Sequence, residues 1–78
     1  MAPREIYDAV HSQPFVPFRI VMTDGKTYDI KHPEFCAVGV RTTFVFLPSS
    51  EDPALFDRSV RLDNLHIIRM EPLGTLAV

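Results

Sequence analysis

The 78-residue sequence predicts a mainly β domain with one N-terminal helix, folded as a strongly bent five-stranded antiparallel sheet or a small barrel. Three observations lead there. Phe15 to Lys31, FVPFRIVMTDGKTYDIK, sets two runs rich in β-branched and aromatic residues around Asp24-Gly25, a strong short-range hairpin signal. Further short apolar runs follow, punctuated by prolines and polar turn formers. Helical spacing of apolar residues occurs near the N-terminus, ahead of the first strand. With one helix and so few strands, bending or closing the sheet removes open edges and buries an aromatic face.

The helix is predicted over about residues 3–12. Pro3 suits a first helical turn, Glu5 and Asp8 favour its positive end, and Ile6, Ala9 and Val10 share one face. Isolated helices shorter than about 12 residues are marginal, so this one must lay its stripe on the sheet. Gln13-Pro14 stops it. The hairpin spans about residues 16–31, with Pro17 at the start or edge of its first strand. Side-chain parity selects its register. A two-residue loop would pair Ile20 with Asp29 and Met22 with Thr27, mixing apolar and polar side chains on one face. A three-residue loop, Thr23-Asp24-Gly25, pairs Phe18 with Ile30, Ile20 with Tyr28 and Arg19 with Asp29, which segregates the faces. It also gives Gly25 the left-handed position of a bulged turn.

His32-Pro33-Glu34-Phe35 follows, where Pro33 forces extended geometry on His32 and opens a tight turn or one turn of helix. Cys36 to Val40 and Thr43 to Leu47 are the next two strands, joined by Arg41-Thr42, with Val38 and Val40 on one face and Phe44 and Phe46 on one face. Residues 48–56 hold a mobile loop, PSSEDP, dense in turn formers and acid. Arg58 to Asp63 alternates, Val60 and Leu62 pointing one way. Asp63-Asn64-Leu65 reads as a tight turn into His66 to Met70, where Ile68 and Met70 share a face. Pro72 ends the last strand, and residues 72–78 form an apolar tail.

At this length the chain makes a single domain, 1–78, and buries only about 60% of its unfolded surface. Cys36 is the single cysteine, so no internal disulfide staples the core, and a lone thiol fits a reducing cytosol. No stretch approaches the roughly 18 consecutive apolar residues of a membrane span. The expectation is a soluble, cytoplasmic protein without a membrane partner. Eight Lys and Arg against ten Asp and Glu give a net charge of -2, which supplies no global attraction for nucleic acid.

His32, Glu34 and Cys36 stand at alternate positions and invite a metal reading. Pro33 disturbs the alternation and no second ligand cluster is near, so packing and hydrogen bonding are preferred and no metal or cofactor is expected. Cys36 in FCAVGV has no positive neighbour to activate a thiolate. Phosphate-binding loops, dinucleotide fingerprints and nucleophile elbows are absent from the sequence. Arg58, Arg61 and Arg69, interleaved with Asp29, Asp57 and Asp63, suit cross-strand pairs on a solvated face. His66 is expected at a hydrogen-bonded edge position.

The order of one helix and five bent strands, with a tight turn before the last, resembles the Sm-like and SH3-like small barrels. Within it VMTDGKTYDI looks like an Sm-like first hairpin, and RLDNLHIIRM like the fourth strand, short turn and fifth strand. The chain is also similar to small bacterial proteins of unknown function carrying a QPFxPF stretch (Gln13 to Phe18), a DG hairpin and an HPEF segment (His32 to Phe35). The Sm-like resemblance implies single-stranded RNA binding. At the matching places, however, the chain has His32-Pro33-Glu34 and Asp63-Asn64-Leu65, without the stacking platform or basic grip such a site uses.

The functional expectation is a non-enzymatic interaction or assembly module, self-associating through a strand edge or holding a protein partner, with an Sm-like RNA-binding regulator as the alternative. The expected contact residues are His32, Glu34, Phe35, Arg58, Arg61, Asn64 and His66.

Overall fold

The computed structural model describes residues 1–73. Helix α1 (Pro3–Val10) leads into strands β1 (Phe18–Met22) and β2 (Thr27–Ile30). A 3₁₀ turn, Pro33–Phe35, precedes β3 (Cys36–Val38), β4 (Thr42–Pro48) and β5 (Phe56–Asp63). A second 3₁₀ turn, Asn64–His66, leads into β6 (Ile67–Pro72).

The fold class needs correction. The domain is mainly β with an N-terminal helix, but its six strands form two separate three-stranded antiparallel sheets, ordered β2-β1-β6 and β3-β4-β5. It is neither a single bent five-stranded sheet nor a closed barrel. The break lies at Pro33, which has no N–H to continue the β2 ladder. His32 is extended there, with φ -142° and ψ 146°, and the 3₁₀ turn carries the chain from one sheet to the other.

The first sheet follows the parity reading of its hairpin. Phe18 faces Ile30, Arg19 faces Asp29 and Ile20 faces Tyr28. Gly25 sits at φ +89° in the loop, and the Lys26 N–H donates to Asp24 Oδ1 at 3.0 Å. Strand β6 lies on the other side of β1, with a bulge where the register shifts between Val21 and Met22. The bulge separates two residues expected on one face: Met70 packs on the core, whereas Ile68 is half exposed and Ile67 is buried in its place.

The core fills the space between the sheets and α1. Ile6 and Val10 come from the helix, Phe18, Ile20, Met22, Ile30 and Ile67 from the first sheet, and Cys36, Val45 and Leu62 from the second. Fully burying a side chain such as Ile20 or Ile30 contributes roughly 1.5–3 kcal/mol. The helix lies against β3 through the Ile6 and Val10 stripe. Its first turn has Glu5 Oε1 accepting from the Ala2 N–H at 3.4 Å.

On β4 Phe44 and Phe46 share one face as predicted, but it is the half-buried outer face rather than a buried aromatic one, and the residues turned to the core are Thr43 and Val45. Gly39, Val40 and Arg41, rather than Arg41-Thr42, make the β3–β4 turn, so Val40 leaves the strand and is 82% exposed. Gly39 is required there, because a Cβ would stand 2.7 Å from the Thr42 carbonyl oxygen that its own N–H bonds at 2.8 Å. Strands β4 and β5 extend into the predicted loop, which shrinks to residues 49–55. Ser49 Oγ accepts from the Glu51 and Asp52 N–H groups, Asp52 Oδ1 from the Ala54 N–H, and the Leu55 carbonyl from the Ser49 N–H. The predicted tail, from residue 74 on, lies outside the described residues.

Candidate functional site

The seven expected contact residues do not form one surface. His32, Glu34 and Phe35 come together at an open groove of about 470 Å³, completed by Lys31, Pro48, Pro53, Ala54 and Phe56. The 3₁₀ turn presents Phe35 between two rings, meeting His32 edge-on at 5.1 Å and Phe56 edge-on at 5.3 Å. Phe56 in turn stacks on Phe46 at 5.4 Å. The result is a row of four rings along the outer side of the second sheet, with Phe56 43% exposed and Leu55 beside it 60% exposed. Offset and edge-on aromatic pairs are worth about 0.5–1.5 kcal/mol beyond area burial, so the row is a stiff apolar platform.

Arg58 and Arg61 lie on β5, opposite Leu47 and Phe44 respectively. The Arg61 guanidinium carbon is 5.9 Å from the Phe44 ring centroid. The ion pairs among the described residues are Arg4–Asp8, Arg19–Asp29 and Arg69–Glu71, so among these residues the pairing expected for Arg58 and Arg61 does not form. Arg19 and Asp29 realise the hairpin register as a two-point contact of 2.7 and 3.3 Å. The hydrogen bond from Arg19 holds the Asp29 carboxyl below its ordinary range, and raises the Arg19 guanidinium in turn.

Asn64, 2% exposed, lies buried at the floor of a groove and ties the β3–β4 turn to the β5–β6 turn. Its Oδ1 accepts from Thr43 Oγ1 at 2.6 Å, and its Nδ2 donates to the carbonyls of Gly39 at 3.0 Å and Val40 at 3.3 Å. Its N–H donates to the Arg41 carbonyl at 2.9 Å. Above this buried amide, Val40 and Leu65, each 82% exposed, border an open groove of about 680 Å³ with Arg41 and Arg61. His66 sits in the 3₁₀ turn rather than in a strand, and its carbonyl accepts from the Thr23 N–H at 2.8 Å. With Tyr28, Val60 and Arg61 it lines a third groove, about 450 Å³, between β5 and the hairpin tip.

The alternating His32, Glu34 and Cys36 do not converge. His32 and Glu34 are exposed, whereas Cys36 packs in the core, where burial pushes its thiol up to about 11. Among the described residues no three His, Cys, Asp or Glu side chains gather as metal ligands, and no helix is long and apolar enough to cross a membrane.

The surface residues that sequence reasoning missed are Val40, Leu55, Phe56 and Leu65. Only Gly39, a turn former just before Val40, signals that this valine leaves its strand. Comparison of the chain with protein-family models, curated proteins and solved structures finds no match.

Proposed function

We propose that the protein is a non-enzymatic assembly module whose second sheet takes up a strand from a protein partner, in the first instance a second copy of the same chain. The observation that carries this reading is β5. It is eight residues long, pairs with β4 on one side, and has no neighbour on the other among the described residues. A long open edge offers a row of free N–H and C=O groups to an incoming strand. A groove separates it from the hairpin tip. The row of rings at its Phe56 end adds an apolar flank of the kind that anchors protein contacts.

The test is molar mass by size-exclusion chromatography with light scattering over a concentration series from about 1 to 500 μM, a span that brackets weak and transient self-association. A rise toward twice the chain mass is expected. A constant monomer mass across the series overturns self-assembly.

A further inference from the structure

We infer that β5 pairs antiparallel with β5 of a second copy in one specific register, with Ser59 opposite Ser59 on the twofold axis and Asp57 opposite the partner's Arg61 on either side. This rests on the assembly reading above and specifies its geometry.

The backbone limits the choices first. The Asn64 N–H bonds the Arg41 carbonyl, and β5 continues from there in the register Asp63–Thr42, Leu62–Thr43, Val60–Val45. In an antiparallel ladder, hydrogen-bonded and non-bonded pairs alternate. Leu62, Val60 and Arg58 therefore turn their N–H and C=O groups toward β4, while Asp63, Arg61 and Ser59 turn theirs to the open edge. The β3–β4 ladder agrees, since the Gly39 N–H bonds the Thr42 carbonyl and so leaves Thr43 and Val45 to bond β5. A twofold pairing must set outward groups against outward groups, so its axis passes through a residue rather than between two.

Charge and the length of overlap then select among the remaining registers. An axis at Asp57, Arg58, Arg61 or Asp63 opposes that charge with itself, an axis at Val60 opposes Asp57 with Asp63, and an axis at Phe56 or Leu62 overlaps at most three residues of β5 with the partner's β5. An axis at Ser59 sets small hydroxyls at the centre and opposes Asp57 with Arg61 twice. Opposite charges facing across a ladder stabilise it and like charges destabilise it. Both side chains are available. Asp57 is the residue that the β4–β5 bulge leaves without a partner on β4, and Asp57 and Arg61 are exposed and form no ion pair among the described residues. Such an interface is isologous, so each copy supplies both partners of the two pairs. Joining β5 to β5 makes one six-stranded sheet that ends at the three-residue β3 on either side.

The test combines charge reversal with a cross-link, each variant being checked for an unchanged thermal unfolding profile. Asp57→Arg and Arg61→Asp singly are expected to weaken the dimer at least about tenfold, and the double reversal to restore it, because two opposed pairs change sign in each single variant and regain attraction together. Ser59→Cys is expected to form an oxidised dimer, since hydrogen-bonded pairs hold Cα atoms about 5.5 Å apart, within disulfide reach. Arg58→Cys, which faces the partner's Val60 in this register, is expected not to. A wild-type dimer that withstands both single reversals and gives no Ser59→Cys cross-link overturns the register while leaving assembly intact. A wild-type monomer overturns both.

Discussion

The two sheets share one core but treat their outer surfaces differently. The first sheet neutralises itself: Arg19 meets Asp29 across the β1–β2 ladder, and Arg69 meets Glu71 along β6. The second sheet turns Phe44 and Phe46 to its outer face and leaves Arg58 and Arg61 without carboxylate partners among the described residues. Its inner face carries a polar pin, Thr43 to Asn64, among aliphatic neighbours. Folding accounts for the first sheet by itself. The second carries exposed aromatic area and unpaired charge that folding does not use, which is where a binding surface is expected.

Breaking the first sheet should have the largest effect. Ile20 is fully buried on the central strand. Ile20→Ala is expected to destabilise the domain by about 2–5 kcal/mol, which for a chain this small approaches its whole stability, and urea unfolding reads it directly. The pin comes next. Asn64→Ala leaves the Thr43 hydroxyl and the Gly39 and Val40 carbonyls without their partner, at a cost of about 1–3 kcal/mol by the same measurement. Gly39→Ala drives a Cβ into the Thr42 carbonyl and is expected to cost about 1–3 kcal/mol, with the change concentrated at the β3–β4 turn in amide chemical shifts.

The smallest effect is electrostatic. Because Arg19 depresses the Asp29 carboxyl, the pair's stabilisation is present above the unfolded-state pKa of about 4 and is lost as pH falls through the lower folded value. Asp29→Asn should therefore flatten the acid limb of a stability-versus-pH curve and leave the neutral region little changed, since the pair is partly exposed.

The legible parts of the fold were those governed by local rules. Gly25 and the alternation around it set the hairpin register, and the Ile6–Val10 spacing set the helix face. The second sheet resisted because its strand β4 is apolar on both faces. Phe44 and Phe46 outrank Thr43 and Val45 in size, yet Thr43 goes inside because Asn64, 21 residues away, satisfies its hydroxyl. Asn64 itself reads as an ordinary turn residue. Its burial depends on carbonyls supplied by another turn, which no local pattern reports. Of the residues around the His32 groove, the turn at His32–Phe35 was legible through Pro33, whereas Phe56 follows the polar loop and its contact with Phe35 across the chain leaves no local pattern.

The unequal outer surfaces are tested most directly by amide hydrogen exchange along β5 at low and high protein concentration. Val60 and Leu62, bonded to β4, should exchange slowly at both. Ser59 and Arg61, facing the open edge, should exchange fast when dilute and slow markedly when concentrated. Fast exchange at Ser59 and Arg61 at every concentration would contradict the account.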